Sequence, residues 1–184
     1  MVQLSRASAC VLAVLLSASL ARAQAGDTPQ TLTPEGGTAL SLAGHASRLY
    51  LLGQIEIYDI ALYVESPPAD LARLRSDTAS KAVRIEVRYE DDVRRPLPID
   101  WRRELVPQLE AAGTAHLRAT AGTLRHGDVM LIEYVPGKGT TVRVNKTTTA
   151  VTGVGHDLML TFLDHWLGQR PVSEDIKRAL LGGS

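Results

Sequence analysis

The chain has 184 residues, 45% of them hydrophobic, and its 20 basic residues balance its 20 acidic ones. This length suits one hydrophobic core better than two, and a neutral balance leaves no electrostatic footprint for nucleic acid or an anionic membrane. The one cysteine, Cys10, falls in the first 25 residues, so the rest of the chain can build no disulfide, thiolate nucleophile or cysteine metal site.

Residues 1–25 have the order of a secretory signal peptide. Arg6 supplies a basic start, an apolar run extends from Ala7 to Leu20, and Ala21-Arg22-Ala23 and Ala23-Gln24-Ala25 are two overlapping cleavage patterns. The apolar run is short for a bilayer span, which favours a cleaved signal over a membrane anchor. Cys10 opens the run instead of closing it, which argues against a lipoprotein signal. Cleavage would remove Arg6, Arg22 and no acid, leaving 18 basic against 20 acidic residues. The expectation is an exported, periplasmic protein with no stable membrane insertion after cleavage.

Polar residues 26–37, with Pro29 and Pro34, read as a loosely attached leader. We assign a flexible leader to 26–40 and the domain to 41–184, with regular structure starting near Thr38. From 47 to 65 the residues alternate. Leu49, Leu51, Ile55, Ile57, Ala61 and Tyr63 fall on one parity, and Arg48, Tyr50, Gln54, Glu56 and Tyr58 on the other. Period two with aromatic and β-branched content predicts strand, with Gly53 as a bulge or a turn between two strands. Pro67-Pro68 closes the segment, and 69–75 predicts a short helix.

Residues 81–89 predict a strand with Val83, Ile85, Val87 and Tyr89 on one face. After Pro96 and Pro98, a helix is expected from 99 or 100 toward 112. Asp100 is its N-cap, Trp101, Leu105 and Leu109 stack along it, and Pro107 kinks or breaks it. Residues 114–124 also look helical, leading to a turn at Gly127-Asp128. A hairpin follows, with strands over 129–135 and 140–144 joined by Pro136-Gly137-Lys138-Gly139. Asn145-Lys146 is a second tight turn before a strand over 147–151. Residues 157–167 form an amphipathic helix with Met159, Phe162, Leu163 and Trp166 inward, ended by Gly168 and Pro171. Ser173 caps a last helix with Ile176, Ala179 and Leu180 inward, stopped at Gly182. Hairpins with segregated helices predict an α+β domain with an antiparallel sheet.

Most candidate motifs have structural explanations. Pro136-Gly137-Lys138-Gly139-Thr140 lacks the spacing of a phosphate loop, and a strand follows it where a helix would be needed. His45, His116, His126, His156 and His165 show no ligand spacing, so no metal site and no cofactor are expected. A GxSxG nucleophile motif is absent. Asp91-Asp92 reads as a strand end, and Glu174-Asp175 suits a helix N-terminus. Asn145-Lys146-Thr147 fits a glycosylation triplet, for which a turn is the more economical account.

Arg48 and Tyr58 share a parity opposite the most apolar face of their segment. A guanidinium suits a carboxylate or a developing oxyanion, and a phenol can add a second donor. If both face an apolar cavity, they clamp the head of a greasy acid. The other reading is a surface cation on a solvated strand, which pattern alone favours.

Three segments in order carry a resemblance over residues 44–182. They are Arg48-Leu49-Tyr50 through Ile57-Tyr58-Asp59-Ile60-Ala61-Leu62-Tyr63-Val64, Gly127-Asp128 through Pro136-Gly137-Lys138-Gly139-Thr140, and His165-Trp166-Leu167-Gly168 with Pro171-Val172-Ser173 and Leu180-Leu181-Gly182. Together they resemble the bacterial chalcone isomerase-like family. The resemblance implies an open-faced β-sandwich, a large antiparallel sheet backed by helices, with a ligand cleft between the layers. In this superfamily the plant enzymes close a flavanone ring, and related plastid proteins bind fatty acids without catalysis. Arg48 falls on the family's cleft arginine, and Tyr58 falls where the plant enzymes carry a catalytic threonine. The enzymes also use a tyrosine and an asparagine from the following helical region. Residues 93–110 contain neither, and lost oxyanion donors typically cost orders of magnitude in rate.

The resulting expectation is an exported domain that binds a fatty acid or similar small apolar acid without catalysis, with Arg48 and Tyr58 as ligand contacts. The alternatives are an isomerase (intramolecular lyase) acting on a chalcone or enone-type phenol, and a structural protein with no ligand. The sequence leaves the oligomeric state open.

Overall fold

A computed structural model describes residues 28–50, 53–89, 107, 117, 123–146 and 148–183. Seven strands form one antiparallel sheet in sequence order: β1 (Thr31–Leu32), β2 (Leu40–Tyr50), β3 (Ile55–Val64), β4 (Lys81–Val87), β5 (Val129–Val135), β6 (Gly139–Val144) and β7 (Thr148–Val154). Among the described residues, three helices with full bounds accompany them: α1 (Leu71–Arg75), α2 (His156–Leu167) and α3 (Glu174–Leu180). The sheet is open, as the α+β reading requires.

The main core lies between the sheet and the helices. Tyr58, Ile60, Leu62 and Val64 of β3, Val83, Ile85 and Val87 of β4, and Met130, Ile132 and Tyr134 of β5 face Leu158, Met159, Phe162, Leu163 and Trp166 of α2, with Ile176 and Leu180 of α3. The expected inward stripes of the last two helices are therefore in place. Their caps follow from local chemistry. The Ser173 hydroxyl accepts from the Ile176 amide at 3.4 Å, and the Asp70 carboxylate caps α1 through the Ala72 amide at 3.0 Å.

Turn chemistry fixes the β5–β7 meander. Gly137 and Gly139 adopt positive φ in the first turn, and Asn145 and Lys146 adopt φ of 52° and 62° in the second. Two successive left-handed residues match the twist of a two-residue hairpin. The Asn145 side chain fixes this end by accepting from the Val129 amide and donating to Asp128.

Gly53, with φ of 85°, sits in a turn between β2 and β3, one of the two readings offered for it. In β3 the helix-facing residues are Tyr58, Ile60, Leu62 and Val64, while Ala61 and Tyr63 form a second, smaller cluster on the outer face with Leu40 and Ala82. The parity that carries Tyr58 therefore faces the main core.

One expectation needs correction, that of a loose leader. Residues 28–37 are attached, not loose. Thr31–Leu32 pairs with Ser41 and Leu40, Leu32 packs on the outer cluster, and the Tyr63 hydroxyl donates to the Pro29 carbonyl at 2.9 Å. The outer cluster needs a cover, and this strap supplies one.

The helices expected over 99–112 and 114–124, including the kink at Pro107, lie almost wholly outside the described residues. Pro107 and Leu117 are helical and Leu117 is buried, whereas Leu124 lies beyond any helix.

Candidate functional site

Arg48 and Tyr58 are directly opposite each other across the β2–β3 ladder. Directly opposed residues of an antiparallel pair point to the same face, and Tyr58 belongs to the helix-facing core. The hairpin register brings the two together, not a shared parity along one strand. Arg48 is half-buried and Tyr58 is 2% exposed.

Above them stands the C-terminal part of α2. The Trp166 indole donates from Nε1 to the Tyr58 hydroxyl at 3.0 Å, a buried bond. Phe162, one turn earlier, lies nearly parallel to Trp166 with ring centroids 6.4 Å apart, and His165 meets the same indole edge-on. Guanidinium, phenol and stacked aromatic rings thus share one end of the sheet–helix interface. A guanidinium beside a phenol is a pair that suits a carboxylate.

At the opposite end of the same interface, Lys81 is 1% exposed. Its ammonium donates to the Leu74 carbonyl at 2.8 Å and the Ser76 carbonyl at 2.5 Å, closing the C-terminus of α1, and contacts His156 Nε2 at 2.9 Å. It also lies 4.8 Å from the centre of the Tyr134 ring. Burial lowers the Lys81 pKa from 10.5 to about 8, against the pull of Asp77 and Glu65. Burial and the neighbouring Lys81 charge also hold His156 below its ordinary value. These contacts tie α1, α2 and β5 together.

The outer face of the sheet carries ion pairs instead. Arg88 reaches Asp59 at 2.6 Å and Glu86 at 2.7 Å, and Arg84 reaches Glu86 at 2.7 Å. Burial alone would push the Asp59 carboxyl up, but hydrogen bonds from Ser47 and Arg88 outweigh it and hold it below the usual carboxylate value.

With this geometry in place, comparison with known proteins is decisive for the family. A family model described as chalcone isomerase-like matches residues 21–182. The chain belongs to the chalcone isomerase-like family. No curated protein matches the sequence. Among solved structures, this chalcone isomerase-like chain resembles a fatty-acid binding protein of Arabidopsis thaliana, with a TM-score of 0.51 and 14% identity over 83% of this chain and 96% of that one. At that identity the likeness bears on the fold alone.

Within the family frame, the structure places both expected ligand residues, Arg48 and Tyr58, side by side. Sequence reasoning put Trp166 in the core but missed its bond to Tyr58, across a separation of 108 residues. A tryptophan in a buried stripe signals only that its N–H needs some acceptor. Lys81 was missed as well. It opens a strand, a position that ordinarily predicts a solvated lysine.

Proposed function

We propose that the protein is exported and binds a small, largely apolar acid such as a fatty acid, without catalysing its conversion. The observation that carries this reading is the direct pairing of half-buried Arg48 with buried Tyr58 on the helix-facing side of the sheet. Arg48 anchors the carboxylate, Tyr58 adds a second donor, and the aromatic residues of α2 line the approach of the tail. The likeness to a fatty-acid binding protein of Arabidopsis supports the ligand class. The absence of tyrosine and asparagine from residues 93–110 argues against the plant ring-closing chemistry.

Tail burial supplies most of the affinity. At about 0.8 kcal/mol per methylene, ten methylenes contribute roughly 8 kcal/mol before ordering costs. That is the scale of micromolar binding, about −8 kcal/mol.

The test is native mass spectrometry of protein recovered from the periplasm after expression of the whole chain. The expected result is a mature mass starting after Ala23 or Ala25, with a carboxylic acid that dissociates on activation. A mass corresponding to the bare protein, together with no uptake of added fatty acid, would contradict the reading. Turnover of a chalcone, lost in Arg48→Ala, would replace binding by catalysis.

A further inference from the structure

The outer face of the sheet, away from Arg48, holds a cavity of about 500 Å³ beneath the strap. Its floor is Val129 and Leu131 on β5, and Leu32 of the strap forms an apolar wall. Arg84, Arg143 and Lys146 contribute three cations to the lining, against the carboxylates of Glu35 and Glu133. The volume is within the range of small-molecule pockets, which pair apolar walls with a few fixed polar groups.

Arg143 has two unequal partners. Its Nη2 donates to Glu133 at 2.7 Å, and that glutamate side chain is 4% exposed. Its Nη1 donates to Glu35 at 3.1 Å, and the Glu35 side chain is 86% exposed. The first bond is enclosed and holds the guanidinium in place. The second is a solvated ion pair, weak by nature, from a carboxylate carried on the strap. Arg84 is already tied into a balanced network with Glu86, Arg88 and Asp59, so an incoming group meets Arg143 and the exposed Lys146 as the cations in play.

We propose that this outer pocket is a second binding site, for a small carboxylate with a compact apolar body, and that Glu35 is its built-in competitor. The ligand carboxylate replaces Glu35 on Nη1 of Arg143, Lys146 faces the same charge, and the apolar body rests on Leu32, Val129 and Leu131. Glu133 keeps the guanidinium oriented whether Glu35 or the ligand occupies its outer edge. This site does not depend on the Arg48 reading, since it lies on the other side of the sheet.

Phenylacetate is the probe, titrated into the whole mature protein and followed by NMR chemical shifts, with phenylacetamide as the uncharged control. Glu35→Gln removes the competitor and should tighten phenylacetate binding about two- to fivefold, the scale of one surface ion pair. Lys146→Ala should weaken it by a similar factor, and the shift changes that depend on Glu35 and Lys146 should centre on the amides of Leu32, Val129 and Leu131. Equal or weaker binding in Glu35→Gln, equal binding of the amide, shift changes confined to the helix side of the sheet, or no binding by any variant would each overturn the proposal.

Discussion

At the scale of single residues, Tyr58 and Trp166 join sheet to helix through one buried hydrogen bond. Removing one partner of such a bond leaves the other desolvated, which costs more than the bond's net worth. Tyr58→Phe should therefore destabilise the fold by about 1–3 kcal/mol in urea unfolding, with the Trp166 indole proton shifted in NMR. A loss below a few tenths of a kcal/mol would mean that the indole finds another acceptor.

Lys81 gives a pH signature. Its folded pKa of about 8 lies below its ordinary 10.5. Below pH 8 both folded and unfolded chains carry the charge, and the cost of burying it is fully present. Between pH 8 and 10.5 the folded form releases a proton that the unfolded chain keeps, so this group raises stability as pH increases. Burial raises the pKa of Tyr63 and Tyr134, and phenols shifted this way reduce stability once pH passes about 10. The clean window is therefore pH 7.5 to 9.5, where the lysine contribution should grow by on the order of 1–2 kcal/mol. Lys81→Met keeps the apolar stem and removes the titrating group, and its stability should lack that rise. A variant with the wild-type slope would assign the slope elsewhere.

At the scale of elements, the strap and α3 cover opposite sides of the same sheet. Leu32 anchors the strap on the outer cluster. Leu32→Asp should release it, so that limited proteolysis cuts within residues 28–37 in the variant and not in the wild type, while the sheet stays intact. Cutting at equal rates would show that the strap is held by its other bonds. On the helix side, a Cβ at Gly44 would collide with the Ala179 and Leu180 carbonyl oxygens. Gly44→Ala should therefore push α3 off β2 at a cost of about 2–3 kcal/mol, visible as a lowered urea midpoint.

Local patterns made some elements legible in the sequence. Period two exposed the strand from Lys81 and the 129–144 hairpin, because each has one apolar face and a glycine-rich or asparagine turn. The stripes of α2 and the Ser173 cap were legible for similar reasons. The strap was not. Its polar composition conceals that Leu32, Pro29 and Thr31 serve an outer cluster whose other members, Leu40, Ala61, Tyr63 and Ala82, are dispersed along three strands. The inward face of β3 was not legible because both of its faces are apolar over Ile60–Val64. Arg48 and Tyr58 were identified as candidates, but their direct opposition depends on the hairpin register. The Tyr58–Trp166 and Lys81–His156 contacts join distant parts of the chain, and no local rule contains them.

At the scale of the whole molecule, one open antiparallel sheet separates two chemical environments. The helix side is an apolar core with a guanidinium and a phenol at one end and a lysine tied into α1 at the other. The strap side is an ion-paired surface with a cavity beneath residues 28–37.

The most direct measurement is equilibrium binding of a long-chain fatty acid to the wild type and to Arg48→Ala, with both shown to be folded by circular dichroism. A charge-assisted hydrogen bond is worth about 1.5–3 kcal/mol, so the variant should bind at least about tenfold more weakly, and the matching fatty alcohol should bind both proteins alike. Undiminished affinity for the acid in Arg48→Ala would contradict the account.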